Sequence, residues 1–147
     1  MTKAVSGFAL AALLLGSVAV RADDQDVIDY RVHVMKTLAE ELGSINMILA
    51  RKAPADNLAA HVQALAVTAP QARKAFEPKV AGGKSRSEVW ANWTDFAKQL
   101  DALVSQTDGL AKAVKDGGAA ALAPKIQSLN CQSCHDTYMV PSAASKS

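Results

Sequence analysis

Aromatic residues are scarce in this sequence, at 5% of the chain, although half of its 147 residues are hydrophobic. No segment alternates apolar and polar residues with a period of two, which is the pattern of a half-buried strand. These absences argue against a fold built on a β-sheet, and the many alanines and leucines favour helices. The length fits one ordinary domain rather than a multidomain enzyme.

An excess of charge of one sign is also missing. Lysine and arginine together number 16 and aspartate and glutamate 14, so the formal net charge is only +2. This balance argues against a strongly basic surface, and we expect no nucleic-acid partner.

The chain opens with a segment, residues 1–22, that has the features of a secretory signal peptide. Lys3 precedes an uncharged, mainly apolar run from Phe8 to Val20. We therefore expect export and a mature chain that begins at Asp23. A retained membrane anchor is the alternative, because Arg21 makes the cleavage site imperfect, but the run is short for a membrane span.

Proline and glycine divide the rest of the chain into four helix-length blocks, in which apolar residues recur at steps of three and four. The predicted helices run from Asp24 or Asp26 to about Arg51, from Asp56 or Asn57 to about Phe76, from a Ser85–Glu88 capping box through Val114 to a stop at Gly117-Gly118, and from within Ala119–Pro124 to about Met139. Short loops favour antiparallel neighbours, so we predict an all-α, up-down-up-down four-helix bundle over residues 23–140. Residues 141–147 are predicted to be a disordered tail.

Both cysteines of the chain occur in Cys131-Gln132-Ser133-Cys134-His135. Two cysteines three residues apart lie on one side of a helix, where their sulfurs can add to the two vinyl groups of a haem. The imidazole of the next residue can then bind the iron. The motif predicts one covalently attached haem c, with Cys131 and Cys134 as thioether links and His135 as the proximal axial ligand.

Three other interpretations of this motif are weaker. A disulfide between the two cysteines would close a very small loop and stabilise little. A thioredoxin-like redox pair follows a strand, whereas a predicted helix precedes this pair. A zinc site needs two more ligands, and the sequence holds no second Cys/His pair.

The chain resembles the class II c-type cytochromes, that is, cytochrome c′ and its low-spin relatives. The similarity rests on Tyr30-Arg31, Lys52-Ala53-Pro54, Glu88-Val89-Trp90 and the segment Cys131–Tyr138, in this order and spacing. As in that family, the single haem motif lies in the last predicted helix. The resemblance implies the family's bundle and a covalent haem c, and it leaves a homodimer through helix 1 open.

The resemblance also implies which residue lies on the distal face of the iron. Counting from Tyr30-Arg31 and from Ala53-Pro54 places Met35 there. In cytochrome c′ proper an apolar side chain at this position leaves the iron five-coordinate, whereas a methionine ligates it in the low-spin relatives. We therefore expect Met35 to be the distal axial ligand, with an unbound core methionine as the alternative.

Other side chains are weaker candidates for the distal position. Met47 lies more than three helical turns from Met35, and Met139 follows His135 by one turn and so belongs to the proximal side. His33 points to another face of its helix, and His61 is expected to be solvated.

Arg31 is predicted to bind a haem propionate. It lies four residues before Met35 at an inward position, where an unpaired charge would be costly. A propionate can accept paired hydrogen bonds from the guanidinium, and the resemblance points the same way. The alternative is a side chain whose charged end reaches solvent.

Together these expectations describe a periplasmic electron carrier that exchanges single electrons with redox partner proteins, and not an enzyme. His/Met ligation raises the reduction potential and closes the iron to gases. The alternative function is a five-coordinate protein that binds or buffers nitric oxide or carbon monoxide. Many cytochromes c′ have a basic residue four positions after the ligating histidine, and Met139 in that place weakens the analogy with gas binding. We expect no membrane association once the signal peptide is removed.

Overall fold

The computed structural model describes residues 22–141, so the predicted signal peptide lies outside the described residues except for Ala22, and the predicted tail except for Pro141. The helices are α1 (Asp24–Leu49), α2 (Leu58–Phe76), α3 (Glu88–Ala91), α4 (Trp93–Ile126) and α5 (Cys131–Tyr138), and a 3₁₀ turn at Ala55–Asn57 precedes α2. Over residues 22–141, β-structure is limited to two isolated bridges. The all-α prediction is therefore confirmed.

α1 begins at a different cap from the one predicted. Asp23 is the N-cap: its carboxylate accepts a hydrogen bond from the backbone N–H of Asp26 at 2.8 Å, and the Asp26 carboxylate accepts from the N–H of Asp23 at 3.2 Å. This capping box satisfies two N–H groups at the helix start. The predicted caps, Asp24 and Asp26, were wrong because both lie inside the helix, where their charge still suits the N-terminal dipole. α1 ends at Leu49.

α2 packs against both α1 and α4. Its predicted range is confirmed to within two residues. Small side chains on its buried positions let the neighbouring helices come close. The buried alanines are Ala66, Ala69, Ala72 and Ala75.

The third predicted helix starts differently from the prediction. Asn92, with φ −114° and ψ 40°, separates the short α3 from α4. The expected Ser85–Glu88 capping box is absent, because α3 begins at Glu88 and Ser87 occupies the N-cap position. The Ser85 hydroxyl accepts a hydrogen bond from Arg31. A contact between residues far apart in the sequence has replaced a local cap.

α4 is kinked where the sequence predicts a stop. Gly117 (φ −153°, ψ 18°) and Gly118 (φ 59°, ψ −148°) leave the helical conformation, and the chain then resumes a helical path to Ile126. Gly118 adopts a backbone conformation that is open almost exclusively to glycine. The predicted division between the third and fourth blocks is therefore confirmed.

The fourth predicted helix is not continuous, which corrects the sequence-based boundary. A turn over residues 127–130 separates the end of α4 from α5. The Ser128 hydroxyl donates to the carbonyl of Lys125 at 2.7 Å, as does the Ser128 backbone N–H at 3.1 Å. Such local bonds compete with helix continuation, so a new helix starts at Cys131.

The four-helix bundle itself is confirmed, with the core between α1, α2 and α4. The apolar residues that recur at steps of three and four, such as Leu38, Leu42 and Ile45 of α1, are buried or half-buried. The fully buried core includes Ile45, Val62, Val89, Leu110 and Leu122. Among residues 22–141, no helix is both long enough and apolar enough to span a bilayer.

Replacing Gly118 by alanine tests the kink. A side chain at φ 59° and ψ −148° is strained, so Gly118→Ala should lower the free energy of unfolding by about 1–3 kcal/mol. Gly109→Ala is the matched control within α4, because a β-carbon there would meet nothing within 4 Å. That change should raise stability by about 0.5–1 kcal/mol. Denaturant unfolding measures both, and equal stability of Gly118→Ala and wild type would contradict the strain.

Candidate functional site

The short helix α5 carries all three residues of the haem motif. Cys131, Cys134 and His135 are half-buried, and the helix begins at Cys131 itself. Residues three apart share one side of a helix, so the two thiols lie together with the imidazole beside them. All three side chains line one cavity.

This cavity lies between α5 and the three longer helices. Apart from the motif, its wall consists of Met35, Leu38, Ala39 and Leu42 of α1; Leu65 of α2; Gln99, Leu100, Ala102, Leu103 and Gln106 of α4; and Leu129 and Asn130 of the turn before α5. An apolar wall with a few polar groups is typical of a cofactor site. The residues therefore fit a haem, with apolar side chains for the porphyrin, two thiols for attachment and an imidazole for the iron.

The environment of the thiols bears on the other interpretations of the motif. Burial is the main factor that raises the pKa of both Cys131 and Cys134, and negative charge on Cys131 and Asp95 raises that of Cys134 further. A redox-active pair needs a cysteine of lowered pKa, so a thioredoxin-like role is disfavoured. Within residues 22–141, no cluster of three or more His, Cys, Asp or Glu side chains could hold a metal ion.

Met35 and His135 face the same cavity from two different helices. Met47 is 51% exposed and His33 is also exposed, and neither lines the cavity. Met139 follows α5, where its backbone bridges to Ser85. Met35 is thus the distal candidate that the fold brings to the motif.

His61 has a partner outside the cavity. Its Nδ1 lies 2.8 Å from Oε2 of Glu41, which links α2 to α1. The imidazole is half-buried and does not line the cavity. The geometry therefore gives bis-histidine ligation through His61 no support.

Arg31 is buried, with 3% of its surface exposed, so the alternative in which it reaches solvent was wrong. Its guanidinium lies between two rings, 4.9 Å from the centroid of Phe76 and 5.0 Å from that of Trp90. One terminal nitrogen donates to Ser85 Oγ at 3.0 Å and the other to the Val80 carbonyl at 2.9 Å. Burial lowers the pKa of Arg31, although an arginine this basic stays charged.

The expected contact between Arg31 and a haem propionate stays a prediction. Arg31 does not line the cavity wall. Its buried Nε has no hydrogen-bond partner among the residues that the structure describes. A buried donor without an acceptor is energetically costly, so Nε is the atom of Arg31 that is free to donate a hydrogen bond to a carboxylate.

Tyr138 anchors α5 to α4. Its ring packs edge-on against Phe96 with centroids 4.9 Å apart, and its hydroxyl donates to Oδ2 of Asp95 at 2.7 Å. This hydrogen bond, with burial and the Asp95 charge, raises the pKa of Tyr138 to about 12, and it also lowers the pKa of Asp95. The sequence analysis did not predict this pair. Tyr138 belongs to the segment Cys131–Tyr138 that carries the family resemblance, but Asp95 is an exposed carboxylate on a helix, and no sequence pattern identified it as a partner.

Comparison of the sequence with known proteins gives consistent relatives. The family model described as Cytochrome C′ matches residues 26–139. A cytochrome c′ from Rhodospirillum rubrum is 30% identical over 136 residues, which cover 88% of this chain and 92% of that protein. A cytochrome c′ from Alcaligenes xylosoxydans is 26% identical over 121 residues, which cover 80% and 95%. Cytochrome c-556 from Agrobacterium fabrum is 29% identical over 117 residues, which cover 76% and 79%.

Solved structures of cytochrome c prime from Alcaligenes xylosoxidans are similar in fold. A nitric oxide complex of one variant has a TM-score of 0.76 at 25% identity, covering 83% of this chain and 100% of that chain. A ferrous variant with bound nitric oxide has a TM-score of 0.77 at 24% identity, covering 84% and 100%. A variant with bound carbon monoxide has a TM-score of 0.75 at 25% identity, covering 82% and 98%.

The hydrogen bond between Tyr138 and Asp95 predicts an alkaline transition. The pKa of folded Tyr138 is raised from 10.0 to about 12. Its contribution to stability is therefore complete below the unfolded value and is lost as the pH rises through about 12. In a Tyr30→Phe protein Tyr138 is the sole tyrosine, and the tyrosinate absorbance should rise with that midpoint.

Adding Asp95→Asn to the Tyr30→Phe protein should move the midpoint down, because the neutral amide accepts the Tyr138 hydrogen bond more weakly than the carboxylate and carries no charge that opposes ionisation of the tyrosine. Asp101→Asn is the control: this exposed α4 carboxylate pairs with Arg73 and should leave the midpoint unchanged. An unchanged midpoint in the Asp95→Asn protein would contradict the conclusion that Asp95 raises the pKa of Tyr138.

Proposed function

The chain belongs to the cytochrome c′ family, and from this membership we propose that it is a periplasmic one-electron carrier with His135 and Met35 as axial iron ligands. The family binds covalently attached haem c, which supplies a centre that gains or loses one electron. Cys131 and Cys134 would hold this group. The observation that supports the proposal is that Met35 of α1 and His135 of α5 line one cavity.

In this proposal the axial side chains set the properties of the site. The thioether of Met35 favours reduced iron and so raises the reduction potential. Met35 belongs to a long packed helix, and His135 to a helix that Tyr138 holds in place. Ligands on elements held in this way need little rearrangement when an electron arrives, which suits rapid transfer.

In this proposal the apolar wall of the cavity also raises the reduction potential. Leu38, Leu65 and Leu100 are buried, and they exclude water from the space around the cofactor. A dry, weakly polar surrounding disfavours the additional positive charge of oxidised iron. These side chains therefore help Met35 to raise the potential.

Binding of nitric oxide or carbon monoxide is the second candidate function. Members of the family are electron carriers or gas-binding proteins rather than classical enzymes. The solved relatives with bound nitric oxide or carbon monoxide favour this alternative. Here Met35 would stay in the cavity wall without binding the iron, and the iron would remain free to take up a small gas. The state of one sulfur atom thus separates the two functions.

The periplasmic location and the partners are parts of the same proposal. The predicted signal peptide in residues 1–22 supports export, and attachment of haem c suits a compartment outside the cytoplasm. Redox proteins that dock at the haem edge would be the partners. A homodimer through α1 is also proposed, and the exposed apolar side chains of Tyr30 and Met47 are available for contacts on this helix.

Mass analysis of the secreted protein tests haem attachment. Wild type should be heavier than the polypeptide from Asp23 by one haem, and the double variant Cys131→Ser/Cys134→Ser should lack this added mass. Ser133→Ala is the control, because this exposed residue lies between the two cysteines and should retain the adduct. An unmodified wild-type polypeptide would contradict the cofactor assignment.

The absorption spectrum of the purified ferric protein tests Met35. We expect low-spin iron with the weak charge-transfer band of methionine sulfur, and complete loss of that band in Met35→Ala, whose ferrous form should bind carbon monoxide readily. Met47→Ala is the control on the same helix, since Met47 is 51% exposed. A high-spin wild type that binds carbon monoxide when reduced would overturn the carrier proposal in favour of gas binding.

A further inference from the structure

The linking loop, residues 77–87, joins α2 to α3 and is tied to the end of the haem helix. The backbone N–H of Val140 donates to the Lys84 carbonyl at 2.8 Å, and that of Arg86 donates to the Tyr138 carbonyl at 3.0 Å. These bonds form a short antiparallel pairing between the linking loop and the chain that leaves α5. Movement of the loop would therefore shift the C-terminal end of α5.

The same loop is held from α1 by Arg31. Ser85 Oγ and the Val80 carbonyl accept hydrogen bonds from its two terminal nitrogens, and the rings of Phe76 and Trp90 confine the guanidinium on both sides. These bonds join positions 54 and 49 residues apart in the sequence. A planar guanidinium can hold two acceptors in fixed directions at once.

Close packing between α1 and the loop points the same way. A β-carbon at Gly82 would lie 2.7 Å from Cδ1 of Ile28, and one at Gly83 would lie 3.1 Å from its Cγ2. Gly82 and Gly83 also have φ values of 137° and 62°, which L side chains rarely adopt. The loop therefore packs directly against the Ile28 side chain near the start of α1, with no room for a β-carbon at Gly82.

We propose that Arg31 and Ser85 are positioning residues that fix α1, and with it Met35, relative to α5. Arg31 lies one helical turn before Met35 on α1, and the loop contacts Tyr138, which lies one turn after His135 on α5. The chain of contacts therefore begins and ends beside the two axial residues. It rests on the proposed function in one respect, namely that Met35 is the distal residue.

The chemistry of position 31 supports a directional role. A buried arginine is desolvated, and an apolar residue could fill the same space at lower cost. What an apolar residue lacks is a pair of hydrogen bonds aimed at two points of the loop. Such bonds fix the spacing of α1 and α5 more narrowly than apolar contact does.

Hydrogen exchange of the haem-loaded protein tests the tether. Ser85→Ala removes one acceptor, and Arg31→Lys keeps the charge but loses the planar fork. In both variants the Val140 and Arg86 amides should exchange roughly tenfold faster than in wild type, because a bond to a charged donor is lost. Ser87→Ala is the matched control, since its exposed hydroxyl bonds to the neighbouring Glu88. Unchanged exchange in Ser85→Ala would overturn the proposal.

The iron spectrum then separates positioning from a merely structural role. If the wild-type ferric protein shows the methionine band, Ser85→Ala and Arg31→Lys should weaken it several-fold, whereas Ser87→Ala should not. A band of full strength in both variants would overturn the positioning role even if exchange is faster.

A different measurement tests the positioning role if the protein is not an electron carrier with Met35 as a ligand. If wild type is high-spin, Met35 is not a ligand, and the rate of carbon monoxide association becomes the measure of where Met35 lies. Ser85→Ala should then change that rate several-fold while Ser87→Ala leaves it unchanged. Equal rates in wild type and Ser85→Ala would overturn the positioning role.

Discussion

The site depends on the tertiary contacts that keep the short helix α5 in place. Eight residues are too few to form a stable helix in water by themselves, yet this helix carries both cysteines and His135. Two contacts compensate. Tyr138 packs against Phe96 and donates to Asp95, and the backbone beyond α5 pairs with the linking loop. The cofactor side of the cavity is therefore only as rigid as these two attachments.

The requirement for α1 is different, because this helix is 26 residues long and begins with a capping box. Its position, rather than its formation, matters for the proposed function, because Met35 would bind the iron in an electron carrier and would stay unbound in the cavity wall of a gas-binding protein. The bonds from Arg31 to Ser85 and Val80 connect α1 to the linking loop, and in our proposal they help to set where Met35 lies relative to α5.

Sequence patterns predicted the helices well where the signal was local. The apolar period placed α2 within two residues, and Gly117-Gly118 marked the kink because the backbone angles of Gly118 are open almost exclusively to glycine. Predictions failed where a side chain with one plausible local role formed other hydrogen bonds in the folded protein. Ser85 was a plausible helix cap, but its hydroxyl accepts a hydrogen bond from the buried guanidinium of Arg31. Ser128 carried no breaking signal, yet its hydroxyl and backbone N–H both bond to Lys125 and end the helix.

The sequence by itself determined the attachment chemistry, because Cys131, Cys134 and His135 lie within one and a half helical turns and need no distant partner to share a face. It also determined that Met35 and Arg31 lie near each other on one helix. Only the tertiary structure decided that Met35, and not Met47 or His61, reaches the cavity with His135. It likewise decided that Arg31 bonds to a loop some fifty residues away and that Asp95 receives Tyr138. Such pairings follow from how helices pack, and a single chain's local periodicity carries no record of which distant groups will meet.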